Sequence, residues 1–308
     1  MTGLVGVTHP RRLPMERTTF AVCRRVQDRR FLMRPDAVFT AMVTWLLAAC
    51  AVLFDVQVHA ATVMSSHLHL VVTVGDQRIS AFMQHFVANL AKGVSVLRRL
   101  RRGVVFEPGG LNIVECKTVD AVVYELAYAI VNPVAAGLVW RPEEWPGLCV
   151  LVDDIGRGAL DGVRPGFYFR ARTWAQRAVL RITWPPCLLE LGEDEARRLV
   201  ADEVARQLEE AHAEIRAKRW SVLGPVAAAN VSPFKRATTW ETFGSLHPHF
   251  ATGPGRVAER IEAAAELREF RRAYRSCWER YQDGETDIEW PYGTHLMRVR
   301  HGVRVAEP

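Results

Sequence analysis

No residue from Ala37 to Phe54 carries a charge, and few folds can house such a run. Its length stands at the lower edge of what spans a bilayer, and Arg29, Arg30 and Arg34 precede it. The pattern within it points elsewhere. Phe39, Met42, Val43, Leu46, Cys50 and Leu53 recur at helical spacing as a wide apolar stripe. Thr40, Ala41, Thr44, Ala48 and Ala51 keep the other side small. Asp36 and Asp55 bound the run tightly, and Pro35-Asp36 is a favourable helix start. The expected element is a core helix packed on a sheet, with its small side open to a dimer contact, and not a membrane span.

The strands for that sheet flank the helix. Thr18 to Arg24 reads as a first strand. Val56 to Met64 and His67 to Val74 read as a hairpin turning at Ser65-Ser66. Ile79 to Leu100 has helical spacing, with Phe82, Phe86 and Leu90 repeating every four residues. Gly109-Gly110 reads as a turn and Leu111 to Lys117 as a short strand. Val119 to Val131 reads as a helix that stops before Asn132-Pro133, because a residue preceding proline avoids the α region. This order predicts an α+β fold over residues 15–150: a ferredoxin-like antiparallel sheet with helices on one face.

After Trp145-Pro146-Gly147 the patterning changes. Residues 151–308 read as a mixed, mainly helical extension. Charged helices are expected over Gly192 to Arg219 and Arg256 to Tyr281, with loop from Val226 to Gly255 between them. Trp290 to Val305 reads as a terminal strand or hairpin.

Charge narrows the partner. The net charge is +6, and residues 1–152 hold 16 Lys/Arg against 11 Asp/Glu, so most of the excess lies in the first half. Nearly all of those cations are Arg, whose fork suits phosphate better than Lys does. The six cysteines are scattered without a CxxC pair, which excludes a zinc knuckle or a disulfide framework and reads as reduced thiols. Arg11, Arg12, Glu16 and Arg17 interrupt any early apolar run, so no signal peptide is expected and the protein is read as cytoplasmic.

His67-Leu68-His69 is the pattern richest in chemistry. Side chains alternate along a strand, so both imidazoles project from one face while Leu68, Leu70 and Val72 anchor the other. Two imidazoles one step apart can share a divalent metal and leave positions open for substrate oxygens. A second such triplet, His247-Pro248-His249, has a central proline and a loop setting, which make a rigid strand site improbable.

The neighbourhood of the first triplet makes it specific. Met64-Ser65-Ser66-His67-Leu68-His69-Leu70-Val71-Val72 resembles the "MPNHxHLL" signature of the REP-associated tyrosine transposases and their insertion-sequence relatives, members of the HUH class. Ser80, Phe82, Met83 and Gln84 resemble that family's "SxFMQ" helix start, and Asn132 to Val139 its "NPVRAGLV" segment. Glu143-Glu144-Trp145-Pro146 echoes "RPEDYPWSS", and Trp290-Pro291-Tyr292-Gly293-Thr294-His295 resembles a "FPAGTY" tail. The resemblance implies single-stranded or hairpin DNA as partner, a homodimer, and a Mg²⁺ or Mn²⁺ ion on His67 and His69 with a third polar ligand. It further implies a tyrosine that attacks the scissile phosphate, leaving a 5′-phosphotyrosine and a free 3′ hydroxyl.

By the family pattern that tyrosine belongs on the helix after the histidines, and this chain has Leu90 and Gly93 where it is expected. All six tyrosines lie at or beyond position 124, and Tyr124 and Tyr128 read as packing aromatics. Three functions therefore compete. One is a working transposase with an unrecognised nucleophile; another is a domesticated DNA-binding protein that does not cut; the third is a metal-dependent nuclease using activated water. The arginines expected to bracket DNA are Arg24, Arg25, Arg29, Arg30, Arg98, Arg99, Arg101 and Arg102.

Overall fold

Alternating and doubly apolar stretches form the strands of a central sheet, and the uncharged run forms the helix beneath it. The computed structural model describes residues 10, 12–75, 77–100, 104–238 and 248–307. In chain order these are β1 (Thr18–Val26), α1 (Ala37–Phe54), β2 (Gln57–Val63), β3 (His67–Val74), α2 (Ile79–Leu97), β4 (Phe106–Cys116) and α3 (Val119–Ala135). There follow β5 (Ala159–Val163), β6 (Arg177–Arg181), α4 (Pro186–Leu189), α5 (Glu193–Ala217), α6 (Pro225–Asn230), β7 (Phe250–Ala251), α7 (Val257–Gln282) and α8 (His295–His301).

The sheet has the order β2-β3-β1-β4-β7. Its first four strands are antiparallel to their neighbours, and β7 joins the edge parallel to β4. Register assigns the two faces. Arg25 pairs with His67 and Cys23 with His69, so these four share one face; Arg24 pairs with Leu68 and Val22 with Leu70 on the other. Along β3 both faces are buried, from Leu70 through Val74, so each needs a cover. Helices α1 and α2 cover the leucine face, whereas α3 lies across the histidine face. The expectation of helices on one face alone is thus corrected, and the doubly buried strand is the reason.

Helix α1 is capped where its sequence allows. Asp36 accepts from the Phe39 amide at 3.1 Å, and Asp55 closes the far end with φ of 53°. Met42, Trp45, Leu46 and Leu47 are fully buried, each stabilising the fold by about 1.5–3 kcal/mol. The outer side is covered by the β5–β6 hairpin, which approaches so closely that a Cβ on Gly162 would stand 2.6 Å from Trp45 Cα. Among the described residues α1 is the one helix long and apolar enough to cross a membrane, and half of it is buried in the protein.

Three further expectations change. Helix α3 does not stop before Asn132-Pro133 but runs to Ala135. A proline in the last turn deprives only the Ala129 carbonyl of its donor, and Asn132, Pro133 and Val134 are all buried, so packing outweighs the local preference. Gly109-Gly110 lies within β4, not before it. The register jumps from Val26–Phe106 to Arg24–Leu111, so the intervening residues bulge out, and Gly109 supplies the φ of 71°. Trp290 to Val305 is no hairpin: a parallel bridge between Trp290 and Val305 encloses α8.

Residues beyond 150 also build on α3 and on the edge of the sheet. Helix α5 packs along α3, with the Gln207 amide donating to the Tyr124 carbonyl at 3.2 Å. β7 arises in a stretch expected to be loop; the Glu115 and Lys117 amides donate to the His249 and Ala251 carbonyls, both at 2.9 Å.

Two groups give stability opposite dependences on pH. His59 is wholly buried; its Nδ1 donates to the Thr183 carbonyl at 2.7 Å and its Nε2 accepts from Thr73 Oγ1 at 2.8 Å. Burial pulls its pKa from 6.5 down to about 4, so the unfolded chain binds the extra proton and stability falls as pH drops from 6.5 towards 4. Burial lifts Glu125, on α3, from 4.5 to about 7, so here the folded chain holds the proton and stability falls as pH rises from 4.5 to 7. The two slopes oppose each other between pH 4.5 and 6.5. Glu125→Gln is expected to remove one of them. In urea titrations the variant should match the parent near pH 4 and exceed it by up to about 3 kcal/mol above pH 7. An equal difference at both pH values would show that Glu125 ionises freely in the fold.

Candidate active site

The histidine pair lies where β3 enters the sheet, beside the Ser65-Ser66 turn. The two rings stand 5.0 Å apart between centroids at 89°, both on the face under α3. Ser66 Oγ donates to His67 Nδ1 at 3.1 Å, which leaves Nε2 as the donor to Asn132 Oδ1, also at 3.1 Å. Asn132 Nδ2 stands 3.5 Å from His69 Nε2, at the limit of hydrogen bonding. One amide, carried on the last turn of α3, thus spans both imidazoles. Burial first, and then the charges of His67 and Arg25, hold the pKa of His69 well below 6.5. A neutral imidazole is the form that ligates a metal.

One helical turn before Asn132, Tyr128 sets its ring edge-to-face on His69, with centroids 5.2 Å apart at 85°. The residue remains 38% exposed, so a solute can reach it. Tyr124, one turn further back, stacks on Tyr128 at 6.3 Å and 11° and is itself half-buried. Residues 124, 128 and 132 form a single row along α3 because side chains four apart share a helix face. Tyr124 and Tyr128, read from the sequence as packing aromatics, do pack, and what they pack on is the histidine site. The helix after the histidines, α2, cannot supply a tyrosine there, since it covers the opposite face. Leu90 is fully buried there, and a Cβ on Gly93 would come within 2.7 Å of Met42 Sδ.

The donor set suits a divalent cation once the His67 proton is carried on Nδ1 and donated to Ser66 Oγ, which frees Nε2: two imidazole nitrogens and the amide oxygen of Asn132 then stand together. Among the described residues no three His, Cys, Asp or Glu side chains converge on a metal site, and the polar group beside the two imidazoles is the amide of Asn132. Other side chains able to ligate a metal lie elsewhere. His85 packs between Phe54 and Trp174, Asn89 bonds back to the His85 carbonyl at 2.8 Å, and Glu115 pairs with Lys117 at 2.9 Å.

The eight arginines do not make one bracket. Arg25 stands across from His67, at the site. Arg24 is on the other face, its guanidinium 5.3 Å over the Phe106 ring. It helps to line a cleft of about 580 Å³ between α2 and β4 that also holds Ser80, Gln84 and Ser95. Arg98 is a structural residue. Its side chain is 5% exposed and donates to the Leu32 carbonyl at 2.9 Å, the Arg34 carbonyl at 3.0 Å and Asp36 at 2.6 Å. It is buried because three acceptors between β1 and α1 need a donor there. Arg29 and Arg30 follow Arg25 at the same end of the sheet, where Arg30 donates to the Gln27 and Val104 carbonyls. Arg99 is exposed at the end of α2. Arg101, Arg102 and His247 lie outside the described residues.

Tyr128 and Asn132 are the residues beside the histidine pair that the sequence reading did not place there. Their spacing of four was visible, but a helix ending before Asn132 hid the fact that both share a face.

No family profile and no curated relative matches the chain. A solved structure described as that of a REP-associated tyrosine transposase bound to a REP hairpin matches with a TM-score of 0.39 and 17% identity, over 50% of this chain and 85% of that one. The likeness is distant.

Proposed function

We propose that this chain is a transposase-type enzyme that breaks and rejoins single-stranded or hairpin DNA by transesterification. Tyr128 is the nucleophile, and His67, His69 and Asn132 hold Mg²⁺ or Mn²⁺ on a ferredoxin-like sheet. The observation that carries the reading is the row on α3: an exposed tyrosine against one histidine, and an amide one turn later touching both.

The chemistry follows from the groups present. Tyr128 Oη forms a bond to phosphorus while the bond from phosphorus to the 3′ oxygen breaks. The phenolic proton leaves to solvent and the departing 3′ oxygen takes one up, so a phosphodiester is exchanged for a phosphotyrosyl ester and no nucleotide cofactor is consumed. When bound, the cation would supply charge neutralisation at the phosphate oxygens. Packing against His69 and Tyr124 fixes the ring of Tyr128, which lowers the entropy lost in aligning it for attack. Arg25, across from His67, adds a cation to hold the strand beside the site.

The reading is tested by incubating the full chain with a single-stranded hairpin DNA and Mn²⁺, followed by denaturing electrophoresis. A denaturant-stable protein–DNA adduct is expected. Clean cleavage without an adduct would instead support activated water, and binding alone an inactive descendant. Asn132→Ala is expected to weaken Mn²⁺ binding about tenfold or more, as followed by paramagnetic resonance of the free ion. Unchanged binding would place the third ligand on another residue.

A further inference from the structure

We infer that the segment Val231–Ala237, donated by the C-terminal half, is a docking strap for an unpaired DNA strand, with Phe234 as the platform on which one base stacks. The inference rests on the reading of Tyr128 and the histidines as a DNA site, and extends it to a surface some 165 residues further along the chain.

The strap is fixed at its base and open at its top. The Phe31 amide donates to the Lys235 carbonyl at 2.9 Å, and the Ala237 amide donates to the Arg29 carbonyl at 3.1 Å. Arg30 and Arg236 form a bridge, and Arg34 Nη1 donates to the Val231 carbonyl at 3.1 Å. Within the strap the Lys235 amide bonds back to the Ser232 carbonyl, making a tight turn whose apex includes Phe234. Phe234 is 54% exposed, and Lys235 and Arg236 beside it are also exposed. The ordered turn holds the Phe234 ring out beside two cations, which leaves its face open for a base to stack on.

The strap is at the catalytic end of the sheet. The segment it grips bonds to the turn before His67: the Val26 amide donates to Ser66 O at 2.8 Å, and the Met33 amide to Ser65 O at 3.0 Å. Arg25, Arg29, Arg30, Lys235 and Arg236 lie along this end of the sheet, where Arg236 meets Asp28 at 3.4 Å. A cationic rim with one exposed aromatic fits a single strand rather than a duplex. Phosphates meet the cations, and only an unpaired base offers its face for stacking.

The test is equilibrium binding of a fluorescent oligodeoxythymidine, and of a duplex of equal length, to the full chain at several salt concentrations. Phe234→Ala is expected to weaken single-strand binding about tenfold while leaving duplex binding and the salt slope unchanged. Phe234→Trp should restore it. Lys235→Ala with Arg236→Ala should shallow the salt slope by about 1.4, the share of two phosphate contacts on a single strand. Failure of the parent to bind the oligonucleotide, or an effect of Phe234→Ala below twofold, or an equal loss for duplex, overturns the strap. Adduct formation separates this from the reading of the site. A normal adduct with no effect at Phe234 removes the strap alone, and a Phe234 effect without any adduct removes the Tyr128 assignment alone.

Discussion

Tyr128→Phe is expected to abolish covalent capture of DNA and to slow strand cleavage by at least about a thousandfold, while single-strand binding stays within twofold of the parent. The variant removes one oxygen from a ring that keeps its contacts with His69 and Tyr124, so the fold and the histidine pair should be undisturbed. Cleavage rate and binding are measured on the same preparation, and the separation between them is the point. Loss of binding in proportion to rate would make Tyr128 a contact residue. Unchanged cleavage would remove it from the chemistry and bring activated water forward.

The second large effect concerns stability. Arg98→Ala is expected to lower unfolding free energy by about 3–5 kcal/mol, read from urea denaturation, because it leaves two carbonyls and Asp36 short of a donor in a buried place. Asp36 also caps α1, so the loss reaches the first turn of the core helix. Burial opposes the charge on Arg98 and the contact with Asp36 sustains it, which is the balance expected of a structural ion pair. A variant as stable as the parent but weaker on DNA would return Arg98 to the binding surface.

Much of the fold was legible because it obeys periodicities. The apolar stripe of Ala37 to Phe54 and the β2–β3 alternation declared a helix and a hairpin, and both formed with nearly the expected bounds. What failed were places where tertiary contact overrules a local rule. The proline rule ended α3 too soon, and with that truncation Asn132 left the helix face on which it meets the histidines. Face assignment failed for a related reason. Alternation says which residues share a face, but not which helix covers it, so the family pattern that put the tyrosine on α2 could not be checked against the face that α3 covers. The arginines show the limit of composition: Arg25 and Arg98 look alike in sequence, yet one stands at the site and the other is locked in the core.

The C-terminal half was legible as helices and nothing more. Its charged helix α5 was visible from its amphipathic spacing, whereas its role as the outer support of α3 depends on Gln207 reaching the Tyr124 carbonyl, a contact between distant segments. β7 is two residues long, too short for any periodicity to reveal.

The central claim, that Tyr128 attacks DNA beside His67, His69 and Asn132, is tested most directly by mapping the covalent product. The full chain is incubated with hairpin DNA and Mn²⁺, then digested with nuclease and protease and analysed by tandem mass spectrometry. The account predicts a nucleotide remnant on the peptide that contains Tyr128, lost in Tyr128→Phe and in the His67→Ala, His69→Ala double variant. A remnant on any other residue, or cleavage with every tyrosine unmodified, would contradict it.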